Sequence, residues 1–324
     1  MSADRVGGLP LGPLGCGTAN LGNLYGAMTD DEAEQLLEAA WDCGIRYFDT
    51  APHYGLGLSE RRLGAFLATR PREEFVVSTK VGRLLRPSPG TADRLDEENH
   101  FAVPAAWERV WNFSRDGIRR SLEESLGRLG LDRVDVLYLH DPEEHDLEGA
   151  LATGVPAVAE LRDEGAVAAV GVGSKSVPAL AAAARTGALD LLMVAGRLTL
   201  LEQPAVEAVV PECRARGIGI VAAAVFNSGL LASARPPVES RYEYADAPAD
   251  VVARARALAA ECARRGVELP AAALQYPLRV PAVRSVVAGA ASAAQVRENA
   301  GRAAAPIPDE LWHALGSAGL VAAA

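Results

Sequence analysis

The sequence has little of what marks several large classes of protein. Its four cysteines, Cys16, Cys43, Cys213 and Cys262, are scattered and form no C-x-x-C pair, which favours free thiols in a reducing compartment. No uncharged apolar run reaches the length of about 18 residues that a membrane span needs. A net charge of −10 opposes binding to nucleic acid or to an anionic membrane. The first residues, MSADRVGGLPLG, lack the basic-then-apolar pattern of a signal peptide. We therefore expect a cytoplasmic protein that binds a small molecule.

Two phosphate-binding fingerprints are also missing. The sequence contains neither a strand-turn-helix G-x-G-x-x-G nor a G-x-x-x-x-G-K-[ST] loop. Any dinucleotide must therefore be held by a different kind of site.

The most informative stretch is IRYFDTAPHYGLGLSERRLGAFL, residues 45–67. Its short apolar run ends at Asp49, and a Pro- and Gly-rich loop carries His53 and Tyr54. Ser59 stands where the N-cap of a helix is expected. Asp49 is therefore predicted at the carboxyl end of a strand and Tyr54 in the following loop, where parallel α/β folds place their chemistry.

Strand and helix patterns alternate eight times along the chain. The strands read as continuous apolar runs, as expected when both faces are buried. Eight such units in about 300 residues predict a (β/α)8 barrel forming one domain over residues 1–324, with a doubly wound sheet as the alternative. Two long segments, 82–112 and 226–250, are predicted to be lids or disordered loops. The predicted strands are 14–18, 46–49, 75–80, 134–140, those starting at 166, 190 and 217, and 284–288.

Four predicted strands end on polar residues: Asp49, Lys80, His140 and Ser174. In a barrel these ends meet at one mouth, together with Tyr54. A lysine lowers the pKa of a neighbouring phenol, a carboxylate keeps that lysine charged, and a histidine can hydrogen-bond the oxygen that the tyrosine serves. Such a site moves a proton at an oxygen while hydride moves at the adjoining carbon, and hydride transfer needs a nicotinamide or a flavin.

Several motifs carry a specific resemblance. The segments FDTAPHYG, SERRLGAFL, STKVGRLL, VDVLYLHDP and AAQVREN, spread over residues 15–299, resemble the aldo-keto reductase superfamily. GTANLGNLY and VFNSGLL are most similar to its aldose 1-dehydrogenase branch. The resemblance implies oxidation of an aldose of the L-fucose, D-arabinose or L-galactose class at C1, giving a lactone.

The resemblance also implies roles for single residues. Tyr54 matches the general acid/base, Lys80 the group that tunes its pKa, Asp49 the partner of Lys80, and His140 the residue that orients the substrate oxygen. The positions implied to bind the cofactor are Gly17, Thr18, Ala19, Asp49, Ser174, Gly229, Leu230, Gly289, Gln295 and Asn299.

The sequence departs from the family pattern where members that use NADP carry cations for the 2′-phosphate. The aligned positions from Gly289 to Gln295 hold no Lys or Arg, although Arg297 and Arg302 are close. Because a phosphate without a cationic partner loses a strong contact, NAD is the predicted cofactor, ahead of NADP. Ala223 replaces the usual stacking aromatic, and Lys175 follows Ser174 where an asparagine is usual.

The substrate pocket is predicted to form from loops 83–113 and 226–244. Its candidate residues are Tyr25, His53, Trp107, Trp111 and Phe113, since aromatic rings can stack on a sugar or a pyridine. No metal is predicted, because His53, His140 and Asp49 lack the H-x-H motif of barrel hydrolases.

Other functions remain open at this stage. A pyridoxal 4-dehydrogenase or a general aldehyde reductase would use the same acid/base residues. A non-catalytic module that only binds the cofactor could also retain them. The protein is expected to be a monomer or a homodimer.

Overall fold

A closed barrel of eight parallel strands forms the centre of the computed structural model, which describes residues 5–236, 241–243 and 245–322. Neighbours in the barrel follow chain order, and β8 pairs with β1 to close it. The (β/α)8 prediction is confirmed, and the doubly wound alternative is wrong. The strands are β1 (Leu14–Gly17), β2 (Tyr47–Asp49), β3 (Val76–Val81), β4 (Val136–His140), β5 (Ala169–Ser174), β6 (Leu191–Ala195), β7 (Gly219–Ala223) and β8 (Val283–Gly289).

Helices surround the barrel and cover its outer face. Thr29 caps the first of them with a complete capping box. Among the described residues, no helix is both long and apolar enough to cross a membrane. The helices are α1 (Asp30–Asp42), α2 (Leu58–Leu67), α3 (Arg115–Leu129), α4 (Val155–Asp163), α5 (Val177–Arg185), α6 (Pro204–Ala208), α7 (Val210–Arg216), α8 (Ala249–Arg264), α9 (Leu269–Gln275), α10 (Ala293–Ala304) and α11 (Asp309–Ser317).

Two tyrosine rings fill the barrel interior beneath the mouth. Tyr47 and Tyr138 are fully buried, and their hydroxyl oxygens lie 3.4 Å apart. Glycines make the room: a Cβ at Gly15 would stand 2.7 Å from the Tyr47 ring, and one at Gly171 would stand 2.8 Å from the Tyr138 ring. A short hairpin, Arg5–Val6 with Leu9–Pro10, pairs ahead of the barrel, and Val6 packs into the same interior cluster.

The start of α2 differs from the prediction. The helix begins at Leu58, after Gly57 in a left-handed conformation, so Ser59 lies inside the helix and is not its N-cap. Its buried hydroxyl donates to the Thr18 carbonyl at 2.7 Å and lies 2.9 Å from the Thr50 hydroxyl. Tertiary contacts with the two strand ends therefore use the side chain that a local cap would need.

The segment predicted as a loop over 82–112 is largely ordered into strands. Arg83–Pro87 pairs antiparallel with Trp107–Trp111, and Leu95–Asp96 pairs with Phe101–Pro104. Arg109 stabilises this segment, which we call the excursion between β3 and α3, by a bidentate ion pair with Asp96 at 2.6 and 3.0 Å. The second segment holds a small antiparallel pair, Arg241–Tyr242 with Ala245–Asp246. Tyr244, which ends the second predicted substrate loop, lies outside the described residues, as do residues 237–240 and 323–324.

Candidate active site

The carboxyl ends of three neighbouring strands bring Asp49, Lys80 and His140 to the barrel mouth, and the loop after β2 adds Tyr54. The Lys80 ammonium donates to Asp49 Oδ2 at 2.7 Å, to the Thr50 carbonyl at 3.0 Å and to the Tyr54 hydroxyl at 3.1 Å. All three of its protons are thus directed, which fixes Nζ against the phenol.

The Asp49–Lys80 pair lies almost completely inside the protein, with side-chain exposures of 4% and 2%. Burial disfavours the ammonium, but the Asp49 carboxylate and Tyr54 outweigh it and raise the pKa of Lys80 above its ordinary value. The second oxygen of Asp49 accepts from the Ser78 hydroxyl at 2.7 Å. Lys80 is therefore a permanent cation held at a fixed position.

The Tyr54 phenol is protonated at neutral pH. Burial raises its pKa above the ordinary value, and the Lys80 charge opposes this without overcoming it. Lys80 thus acts in the direction expected from the sequence, but the net direction is upward. The Lys80 ammonium lies 4.7 Å from the centre of the Tyr54 ring.

Two neutral imidazoles stand beside the phenol. Burial, with Arg83 and Lys80 nearby, lowers the pKa of His140 well below its ordinary value. Burial also lowers the pKa of His53, with help from Arg109. The His140 ring lies edge-on to Tyr54 at 6.0 Å between centres, and its buried Nδ1 has no hydrogen-bond partner among the described residues. His140 can therefore donate a hydrogen bond without carrying charge.

Sequence reasoning missed an ion pair that borders these histidines. Arg83 donates to Asp141 at 2.7 Å and to Glu144 at 3.1 Å, and Asp141 Oδ2 lies 3.4 Å from His140 Nε2. Burial raises the pKa of Asp141 to about 6. A signal was present, since Asp141 directly follows His140 and Arg83 comes three residues after Lys80.

These groups line a cavity of about 560 Å³, which we call the active-site cavity. Its opposite wall comes from the other strands and is uncharged and mostly small: Gly17, Gly173, Ala195, Ala223 and Gly289, with Met193 and Val287 beside them. A Cβ at Gly289 would meet nothing closer than Asn20 Oδ1 at 3.5 Å, so backbone is open to the cavity there. A smooth, uncharged wall facing an acid/base group fits a flat nicotinamide ring.

Comparison with known proteins agrees with this geometry. Residues 13–319 match the model of the Aldo/keto reductase family.

The chain belongs to the aldo/keto reductase family, and it is an oxidoreductase.

Two curated relatives refine the place of this aldo/keto reductase in its family. The chain is 56% identical to D-threo-aldose 1-dehydrogenase from a Pseudomonas species, over 98% of this chain and 97% of the relative. It is 40% identical to pyridoxal 4-dehydrogenase from Microbacterium luteolum, over 97% and 96%. Among solved structures, it resembles an aldo-keto reductase from Bacillus halodurans in its holo form, with a TM-score of 0.78 and 25% identity over 99% of this chain and 96% of that one.

Six of the ten positions predicted to bind cofactor line the cavity of this reductase. They are Gly17, Thr18, Ala19, Asp49, Ser174 and Gly289. The Thr18 hydroxyl donates to the Asp49 carbonyl at 2.8 Å, and the Ser174 hydroxyl donates to the Glu143 carboxylate. Both hydroxyls are thus already engaged within the protein.

The other four positions lie away from the cavity wall. Leu230 is buried in a second hydrophobic cluster between α8 and α9, and Gly229 is next to it at the surface. The Ala291 backbone N–H donates to the Gln295 side-chain oxygen Oε1 at 2.8 Å, and the Asn299 side-chain amide lies 3.5 Å from the Gly289 carbonyl oxygen. Gln295 and Asn299 therefore shape the end of β8, and contact with a cofactor stays a prediction for all ten positions.

The aromatic residues predicted for the substrate pocket separate into distinct environments. His53 lines the cavity, while Tyr25 is half exposed outside it. Phe113 is buried against Gly82 in the core, a position that does not support stacking on a substrate. Arg83 lies over the Trp111 ring at 4.2 Å and His145 stacks parallel to it at 5.5 Å, so the ring is already covered. Trp107 is open to solvent.

Proposed function

We propose that this protein is an NAD-dependent aldose 1-dehydrogenase, acting on sugars of the L-fucose, D-arabinose or L-galactose class. The observation that carries the proposal is the buried Asp49–Lys80–Tyr54 chain beside a neutral His140, facing a small-residue wall. The identity of 56% to D-threo-aldose 1-dehydrogenase supports an aldose as the substrate.

The reaction removes a hydride from C1 of the cyclic hemiacetal and a proton from its hydroxyl, leaving a lactone. When bound, oxidised nicotinamide supplies the hydride acceptor. Tyr54 takes the hydroxyl proton, Lys80 stabilises the phenolate that precedes this step, and Asp49 keeps Lys80 charged and in place. His140 donates a hydrogen bond to the same substrate oxygen and so orients it.

The protonation state of Tyr54 decides how the rate depends on pH. Because the phenol is protonated at neutral pH, it must first lose its proton to act as a base. Oxidation therefore speeds up as the pH rises toward the Tyr54 pKa. Reduction of an aldehyde, in which Tyr54 gives its proton, does not require this loss.

The preference for NAD rests on the end of β8 and the start of α10. No cation stands from Gly289 to Gln295, and Arg302 is held by Glu268 and Glu298, each at 3.0 Å. A 2′-phosphate bound there would contact backbone and a glutamine side chain, and no cationic side chain would balance its charge. Arg297 is exposed on α10 and is the remaining cation of that region.

We further propose that the enzyme works in the cytoplasm as a monomer or homodimer. Its four cysteines are free, as in reducing compartments.

The deciding experiment follows the absorbance of reduced nicotinamide at pH 7 and pH 9. Purified protein is given NAD or NADP with L-fucose, D-arabinose, L-galactose, D-galactose or pyridoxal. We expect turnover of a sugar with NAD, faster at pH 9. Turnover of pyridoxal alone would favour the activity of the relative with 40% identity. Tight NAD binding without turnover of any compound would contradict the proposal and favour a binding module.

A further inference from the structure

A second, larger cavity opens beyond the active-site cavity, within the excursion between β3 and α3. It measures about 870 Å³, and we call it the outer chamber. Four residues line both spaces: Arg83, Glu98, Asn99 and Glu144. The two cavities therefore adjoin at these four side chains.

Apolar surface is exposed inside this chamber. Trp107 is 43% exposed and Leu95 is 50% exposed, and both line it. They are two of only four large apolar residues that are exposed in the described part of the chain. An accessible indole offers a flat face on which the C–H side of a sugar ring can stack.

Polar groups that bind hydroxyls surround this apolar surface. Asp93, Glu97, Glu98 and Glu108 line the chamber in addition to the Asn99 amide. Carboxylates accept hydrogen bonds from hydroxyls, and the amide both donates and accepts. Two further carboxylates of the wall, Asp96 and Glu144, pair with Arg109 and Arg83, and Arg94 adds one more cation to the lining, so negative charge remains in excess.

This charge excludes some ligands. A uronate or a sugar phosphate would meet repulsion from the unpaired carboxylates. A neutral glycoside meets the aromatic face and the hydrogen-bonding groups without that cost. The active-site cavity alone is within the range of about 300–1,000 Å³ usual for small-molecule sites, so the outer chamber is additional space.

We propose that the outer chamber binds the second sugar unit of a neutral disaccharide whose reducing-end aldose is oxidised at Tyr54. The inference rests on the proposed aldose oxidation and extends its substrate class. Oxidation at C1 uses no other hydroxyl of the aldose, so a glycosyl group on a distant hydroxyl leaves the chemistry unchanged.

The test compares D-arabinose with 3-O-galactosyl-D-arabinose in the wild type, Trp107→Ala and Val110→Ala. Val110 lies on the same strand with its side chain outside the chamber, and it is 38% exposed, which makes it a matched control. We expect Trp107→Ala to lower kcat/KM for the disaccharide about fivefold to tenfold and to leave D-arabinose unchanged. Val110→Ala should change neither.

Oxidation of D-arabinose without oxidation of the disaccharide would overturn the proposal and leave the proposed function intact. An equal loss on both sugars in Trp107→Ala would also overturn it, and light scattering would then show whether Trp107 holds a dimer together. If no sugar is oxidised, calorimetric titration with the disaccharide decides: binding that Trp107→Ala weakens supports the chamber, and absence of binding refutes it.

Discussion

The two halves of the barrel mouth differ in chemistry although the same fold builds both. Strands β2, β3 and β4 carry Asp49, Lys80 and His140 at their carboxyl ends, each at least 93% buried and each part of a charged or hydrogen-bonding group. Strands β5 to β8 and β1 present Gly173, Ala195 and other uncharged, mostly small residues. One half therefore carries the groups that transfer protons, and the other forms an uncharged surface against which a flat ring can pack.

This division implies that the two functions can be changed separately. A substitution in the charged half should alter turnover and its pH dependence while the cofactor still binds. A substitution in the small-residue half should alter cofactor affinity or choice while the acid/base group stays intact. Four predictions test this separation.

The largest effect is expected for Tyr54→Phe. Removing the acid/base hydroxyl should lower kcat by about 100- to 10,000-fold, and calorimetry should show nearly unchanged NAD affinity. Tyr276→Phe is the control, since Tyr276 is buried in the cluster under α8 and α9, away from the mouth. A Tyr54→Phe variant with wild-type turnover would show that another group moves the proton.

In the opposite half, Gly173→Leu should weaken NAD binding about tenfold or more. A Cβ at Gly173 has ordinary contacts, 3.5 Å from the Met193 Cβ and 3.9 Å from Lys80 Cε, so Gly173→Ala should be tolerated. The longer side chain must extend into the cavity. Equal NAD affinities for the two variants, measured by calorimetry, would place the ring elsewhere.

Cofactor choice should respond to charge at the end of β8. Gly289→Lys with Gln295→Arg should raise the ratio of kcat/KM for NADP over NAD about tenfold, because two cations then stand near the 2′-phosphate. Arg297→Gln tests the existing cation. If only Arg297→Gln changes the ratio, the phosphate lies at that arginine.

The smallest effect concerns Asp141. With its pKa raised to about 6, its carboxylate is present above that pH and is lost as the pH falls through it, which breaks the Arg83 pair. We expect the wild-type kcat/KM for aldehyde reduction, which does not require Tyr54 to lose its proton first, to fall a few-fold below about pH 6, and Asp141→Asn to be low and flat there. His140 stays neutral in this range. Glu144→Gln, which alters the other partner of Arg83, should keep the fall. A fall retained in Asp141→Asn would assign it to another group.

Much of the barrel could be read from the sequence because buried parallel strands are apolar along their whole length. All six residues of Val76–Val81 are buried, and the pattern locates this strand to within one residue. The acid/base group was also readable, since Asp49, Lys80 and His140 each interrupt such a run at its carboxyl end. The chemistry is thus encoded locally, at the boundary between apolar and polar residues.

What could not be read depends on contacts distant in the sequence. The pairing of Arg83–Pro87 with Trp107–Trp111 joins two short stretches in which apolar and charged residues do not alternate. The start of α2 was misplaced because Ser59 bonds to Thr18, 41 residues away. The covered ring of Trp111 and the buried ring of Phe113 follow from such packing, which composition does not reveal.

One further consequence concerns amines. The sequence has only two lysines, and both lie at the barrel mouth. Lys80 is fixed within the mouth, and Lys175 is half exposed at its rim, 3.7 Å from Glu144. Among the lysines, reagents that couple to amines will therefore react mainly with Lys175. Immobilisation on an amine-reactive support through Lys175 turns the entrance of the enzyme toward the solid surface. Coupling through the exposed Cys43 thiol does not attach the enzyme at the rim of its entrance.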